Sequence, residues 1–503
     1  MKKKADISWI PFRRDRHFLA LTVPTYYWAV QQKTINGSTN IMLYSKKTEY
    51  LMESIRAGRS MHRGEKLNLI VGLSIPSMLA QISTVMMFFI DASMVGHLGA
   101  EASASIGLIE STTWLIGSLL SAFATGFSVQ VAHFIGANDF GKARQVFRHS
   151  LLCGIIFSIL IALIGVGIHS PLPHWLGGGD DIADKSSAYF LVYSLVLPFV
   201  YLYHMSGMML KAAGNMHTPS VMAILICLCD VVFNYIFIYV LHMGVVGAAF
   251  GTALAYVCIS LPNLWQAACH NKILNLRQDK IRFSWVREYV RNAFKISIPL
   301  AIQNILMSGA QIVSTMIVAP LGNIAIAAHS FAITAESLCY MPGYGIGDAA
   351  TTLVGQTHGA GRIDLCRNFA YMTVGLGMGV MAVMGVVMYL FAPGMMAVLS
   401  PVDAICDLGT RCLRIEAFAE PFFAASIVTY CVCVGAGDTF KPAAINLGTM
   451  WLVRLTLAYA LSQRFGLEGV WIAMATELTF RGILFLIRLY RGSWMNSFLK
   501  ATG

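Results

Sequence analysis

SIPSMLAQI, residues 74–82, returns as SIPLAIQNI, residues 297–305. Around this pair the same interval recurs. Leu98-Gly99 returns as Leu321-Gly322, GAND from Gly136 as GAGR from Gly359, Pro198 as Pro421, Gly214 as Gly437 and Pro219 as Pro442, each 223 positions on. GVVGAA from Gly244 then matches GLEGVW from Gly466 after a slip of one residue. Self-similarity at one fixed period marks a duplicated structural unit, and this many landmarks at one offset are not a chance event.

The medium around that unit is lipid. The 503 residues are 56% hydrophobic and 12% charged, whereas a soluble domain carries about 25% charged residues. Mean hydropathy is +0.64. Long apolar stretches at 68–96, 103–133, 147–168, 187–211, 219–241, 246–268, 295–319, 325–356, 369–392, 408–434, 443–463 and 468–489 each reach or exceed the roughly 20 residues a bilayer requires. The expected fold class is therefore an all-α membrane protein of twelve transmembrane helices in two six-helix lobes. An even number of helices per lobe makes this a parallel repeat, a layout in which two lobes rock around a central cavity.

The boundaries follow: an extension at 1–66, a first lobe at 67–268, a linker at 269–294, a second lobe at 295–490 and a tail at 491–503. Of the 36 Lys and Arg, thirty fall on even-numbered connections and the tails, and four on odd-numbered connections. The positive-inside rule then places both termini in the cytoplasm of a cell whose inner membrane holds the chain. The apolar run Phe18–Val30 is too short to span and contains Pro24, so residues 1–66 read as an interfacial segment or tail. Met61 stands just ahead of the first span, and a chain started there is expected to transport normally.

The net charge of +11 is spread over loops, which excludes a nucleic-acid-binding face. HExxH, a phosphate-binding GxxxxGK[ST] loop and a catalytic His/Cys constellation are all missing. An enzyme and an ATP-driven pump are therefore not expected, and no cofactor is. Most of the eleven cysteines lie inside apolar stretches, as small buried side chains. Only Cys406 and Cys412 are placed where a disulfide is conceivable.

An ionisable side chain inside a membrane is costly, so it marks a candidate site. In the first lobe these are Asp91, Glu110 and Asp230, with polar His204, Asn234 and Thr252. At a rise of about 1.5 Å per residue, Asn234 and Thr252 come to similar depth, and Asp91 is able to join them. Such an oxygen-rich set suits Na⁺ or a shared proton. Pro76 precedes Asp91 by about four turns and is a candidate hinge. In the second lobe the candidates for substrate or proton contact are Glu336, Glu420, Gln303 and Arg454. Glu416 and Glu420 are spaced to share a helix face, Arg454 is a candidate partner for Glu420 or for an anionic substrate, and Glu477 is spaced to pair with Arg481 on one helix.

Several segments resemble the multidrug and toxic compound extrusion (MATE) family: DASMVGHLGAEA from Asp91, GAND from Gly136, GNMHTP from Gly214 and GVVGAAFGTALA from Gly244. In the second half AAHSFAITAES from Ala327, LVGQTHGAGR from Leu353 and GAGDTFKP from Gly435 continue the likeness. The resemblance spans roughly residues 67–492. It implies a V-shaped pair of six-helix bundles that exports amphiphilic or cationic organic compounds, driven by H⁺ or Na⁺. It also implies a first-lobe cation site made by an Asp on the first helix, Asn and Asp one turn apart on the fifth, and Thr on the sixth. Asp91, Asp230, Asn234 and Thr252 fit that set, with amide and carboxylate exchanged on the fifth helix. His204 stands where the family often has a polar residue. The family's second-lobe carboxylate on the seventh helix is replaced by Gln303 and Gln311. The expected partners are a small organic substrate and the lipid bilayer, with the chain acting as a monomer. A lipid-linked-precursor flippase of the wider superfamily is the alternative, for which a basic cavity built on Arg454 and Arg481 would be needed.

Overall fold

The computed structural model describes residues 39–277 and 283–495. The chain divides into two units at Lys47/Thr48, and the described residues begin with the helix Thr39–Arg56. The Phe18–Val30 run lies outside the described residues. From Thr48 onward the chain is a second unit, and no strand occurs among the described residues.

The crossings of that second unit are helical because hydrocarbon offers no partner for backbone N–H and C=O groups. The first six are Arg63–Gly96, Glu101–Gly136, Phe140–Ile168, Ile182–Ala212, His217–Val240 and Gly244–His270. The seventh to ninth are Arg287–Leu321, Asn323–Gly359 and Ile363–Leu399. The tenth is the pair Asp403–Glu416 and Glu420–Gly435, bent by 60°. The last apolar helical stretch, Phe440–Arg491, is divided at Gly466, whose φ of 58° and ψ of −136° are not helical. Residues 440–465 and 467–491 are thus the eleventh and twelfth spans, and the twelve expected crossings are present.

The outer surface of the bundle is apolar, as lipid requires. Leu163, Leu390, Phe391 and Leu452 are each more than 60% exposed. Inside, one core joins the second, third and fourth spans around Phe127, Phe147 and Tyr201. Its second-lobe counterpart gathers Met388, Met396, Trp471 and Met474. All eleven cysteines are free, including Cys406 and Cys412.

The tenth span corrects one expectation. Glu416 and Glu420 do not share a helix face, because Glu416 ends one helix and Glu420 begins the next. Pro421 sits at the first turn of the new helix. There its missing N–H costs nothing, while continuing the preceding helix through it would cost a hydrogen bond. Pro76, by contrast, lies within an unbroken helix.

The two lobes meet tightly at the end where the basic connections lie. The first span packs along the eighth, and symmetrically the seventh packs along the second. Ala122 and Val129 of the second span share a core with Ile296 and Leu300 of the seventh and Val434 of the tenth. The second and eighth spans cross at backbone contact. A Cβ on Gly136 would lie 2.0 Å from the carbonyl oxygen of Gln356, and one on Gly359 would lie 2.0 Å from that of His133. These four positions are two pairs at the repeat interval, so the crossing is pseudo-symmetric.

A strap closes this end further. Leu51, Met52 and Ile55 are buried in a cluster with Leu69, Ile70 and Leu73 of the first span and Leu353, Leu365 and Phe369 of the other lobe. The Arg362 guanidinium donates to the carbonyls of Ser54 and Ile55 at 3.3 and 3.2 Å and of Arg59 at 2.8 Å. It therefore caps the C-terminus of the Thr39–Arg56 helix, where carbonyls lack partners and the dipole favours a cation. Asn138 donates to the Arg56 carbonyl at 3.0 Å, and Lys272 pairs with Glu49 at 2.8 Å. Residues 48–59 are thus part of the packed body, bonded to both lobes.

The expectation for a chain started at Met61 changes accordingly. Burying three such side chains contributes about 5 kcal/mol. The shortened chain is expected to insert but to unfold at a lower temperature than the full chain, read by intrinsic fluorescence in detergent. Equal melting temperatures would show that the strap adds nothing.

Candidate functional site

The fifth span carries the centre of the first-lobe site. Asp230 and Asn234 lie one turn apart on His217–Tyr235, and both are buried. Asn234 Nδ2 donates to Asp230 Oδ2 at 3.1 Å and across to Asp91 Oδ1 of the first span at 2.8 Å. The carboxyl groups of Asp91 and Asp230 are within hydrogen-bonding reach of each other. The Thr252 hydroxyl of the sixth span reaches Asp230. Four residues predicted from scattered positions are therefore one cluster. Its approach is close because Gly251, next to Thr252, faces Asn234. A Cβ there would fall 2.0 Å from Asn234 Oδ1.

The cluster opens on a cavity of about 440 Å³ lined by Asp91, Glu110, Trp114, Tyr189, Tyr193 and Tyr256, among others. His204 also lines it, 5.5 Å from the Tyr203 ring, outside the hydrogen-bonded cluster. Asp230 Oδ1 and Asn234 Oδ1 have no partner. Two carboxylates this close in a low-dielectric interior need a positive charge between them, a proton or a metal cation. No trio of His, Cys, Asp or Glu is placed to hold a metal among the described residues. A cation here would rely on Asp91, Asp230 and neutral oxygens.

The second-lobe candidates divide. Arg454 lies among Glu477, Glu416 and Glu336, so Glu420 is not its principal neighbour. Glu420 instead lies near Glu336. Both carboxylate oxygens of Glu416 and of Glu420 are buried without a hydrogen-bond partner. Gln303 is elsewhere, beside Tyr430 of the tenth span. Glu477 and Arg481 pair as expected, at 3.3 Å. The contact lacks hydrogen-bond alignment, and the guanidinium also lies over the Phe423 ring.

A second cavity, of about 280 Å³, lies between the lobes, walled by residues of the second, fourth, seventh, eighth and tenth spans. Ser118 and Ser121 line both cavities, so the two adjoin. On its wall Lys211 and Asp348 form a cross-lobe ion pair at 2.7 Å. The sequence reading passed over Asp348. The signal was present, a carboxylate inside an apolar stretch, but its partner is 137 residues away.

Twelve spans in two repeated lobes, a charged cluster inside one lobe and a cavity between them that carries an ion pair define a membrane transporter. The MatE family profile matches residues 76–236 and 299–460, and the chain belongs to that family, the MATE transporters. It is similar to the probable multidrug resistance protein NorM of Thermotoga maritima, with 25% identity over 84% of this chain and 92% of that protein. The NorM of Idiomarina loihiensis is 26% identical over 86% of this chain and 95% of its own length. A solved MATE transporter of the MOP superfamily, in an outward-facing conformation, superimposes with a TM-score of 0.80 at 23% identity, covering 86% of this chain and 97% of that one.

Proposed function

We propose that the chain is a cation-coupled exporter of amphiphilic or cationic organic compounds, working as a monomer by alternating access between its lobes. The observation that carries this reading is the Asn234 amide held between Asp91 and Asp230, on the wall of a cavity that adjoins the interlobe one. That cluster takes up a positive charge at one place, and the first span, which carries Asp91, packs along the eighth span of the other lobe. The multidrug designation of the NorM relatives supports the substrate class.

The proton is the favoured coupling ion. Asn234 presents its N–H groups, not its oxygen, to the two carboxylates, which suits a proton shared between them. A sodium ion would need the amide turned so that its oxygen faced the metal. The flippase alternative loses its support, because Arg481 is buried against Glu477 and Arg454 sits among carboxylates. Neither supplies a basic cavity wall.

The orientation follows the basic connections, with the strap and the tight crossing on the cytoplasmic side of an inner membrane. A reporter fused after Asn271 should therefore register cytoplasm. Reconstituted vesicles given a proton gradient or a sodium gradient separately test the coupling. Efflux of an organic cation is expected under the proton gradient. Efflux under the sodium gradient alone would reverse the choice of ion, and none under either would remove the exporter reading.

A further inference from the structure

Asp348 is an acid in the half of the eighth span toward Gly359, and its hydrogen-bond partners are all on one side. One of its oxygens, Oδ2, receives Lys211 Nζ at 2.7 Å, Ser77 Oγ at 2.6 Å and Gln81 Nε2 at 3.3 Å. All three donors come from the first lobe, two from the first span and one from the fourth. No donor of the second lobe bonds to it among the described contacts. The side chain is 28% exposed and that of Lys211 is 23% exposed, both on the cavity wall. Tyr344 and Tyr430 line the same cavity.

Consider what separation of the lobes at this end does. Lys211, Ser77 and Gln81 depart together, and Asp348 is left on the wall of a widening cavity without a positive partner. An uncompensated carboxylate at membrane depth is costly. A carboxylate flanked by aromatic rings is the chemistry that receives an organic cation. When the lobes close again, the Lys211 ammonium returns to the same oxygen and competes with whatever cation sits there.

We infer that Asp348 anchors the cationic centre of the substrate when the cavity opens toward the basic end, and that Lys211 is the tethered competitor that ejects it on closure. Ser77 follows Pro76 directly, so the same carboxylate also holds the candidate hinge of the first span in the closed state. The inference rests on the exporter reading above and adds a specificity determinant to it.

The test uses the full chain, purified and in vesicles, with tetraphenylphosphonium as the cationic probe and Nile red as a neutral one. Asp348→Asn is expected to weaken tetraphenylphosphonium binding about tenfold, the factor for losing a modest ion pair, and to change Nile red binding less than twofold. Lys211→Gln removes the competitor. It should tighten tetraphenylphosphonium binding and slow its release, while Asp348→Glu restores much of the cation preference. If Asp348→Asn weakens both probes equally, or Lys211→Gln leaves cation binding unchanged, Asp348 is only a clasp between lobes and the inference fails. Wild-type vesicles that move neither probe under any gradient would count against the exporter reading instead. The binding comparison of the variants still decides the role of Asp348 in that case.

Discussion

Asp91→Asn is expected to reduce gradient-driven efflux to the level of vesicles without the protein, while folding and insertion stay normal. The substitution keeps the size and hydrogen-bonding capacity of the side chain and removes only its charge and its ability to bind a proton. Asn234 can still donate to the new amide oxygen, so the geometry around Asp230 holds. What is lost is the second negative charge. With one carboxylate instead of two, the cluster no longer takes up and releases a cation over the cycle, and occupancy no longer biases the lobes. Asp230→Asn should be partly defective, because Asp91 faces the cavity while Asp230 lies behind it, held by Asn234 and Thr252. Efflux of a fluorescent cation, with gel filtration of each variant as the folding check, reads both. Wild-type pumping by a well-folded Asp91→Asn would end the first-lobe mechanism and move attention to Glu336 and Glu420.

The second large effect concerns the crossing of the second and eighth spans. Gly136→Ala and Gly359→Ala each place a methyl 2.0 Å from a backbone oxygen of the opposite span. Carbon and oxygen in contact need more than about 3 Å. A backbone carbonyl within a helix cannot swing aside as a side-chain end can, so the spans must part by an ångström or more. Parting there pulls on the Gln356 bond to the Ala212 carbonyl, at 2.7 Å, and on the His133 contact with the Gly435 carbonyl, at 2.8 Å. The closed basic end is therefore disfavoured, and the protein should rest open on that side. Transport is expected to fall more than about tenfold, the factor set by roughly 1.4 kcal/mol, with substrate binding from the basic side retained. Gly375→Ala is the control, since a Cβ there meets nothing within 4 Å. Alanine at that helical site should be silent or slightly stabilising. Normal pumping by Gly359→Ala would mean that the cycle never brings the two spans this close.

Much of the molecule is legible in its sequence. The twelve crossings could be read because lipid obliges each span to be apolar and to satisfy its own backbone. The duplication could be read because both copies keep their helix-ending glycines and prolines at one interval. Asp91, Asp230, Asn234 and Thr252 could be gathered because charge is rare at membrane depth, and helical rise gave their heights.

The tertiary structure alone decided the rest. Glu416 and Glu420 looked like neighbours on one face until a 60° break separated their helices. Arg454 was offered to Glu420 and lies among three other carboxylates. Residues 48–59 read as part of an extension and prove to be bonded to both lobes. Asp348 waited for a lysine from the other lobe. The physical reason is the solvent. In water, hydropathy tells which helix face turns inward, but lipid tails are as apolar as leucine, so an apolar face carries no such instruction. Which faces meet is set by small residues that admit close backbones, such as Gly136 and Gly359, and by polar groups that need each other across the lobes. Those choices become visible only when the helices are assembled.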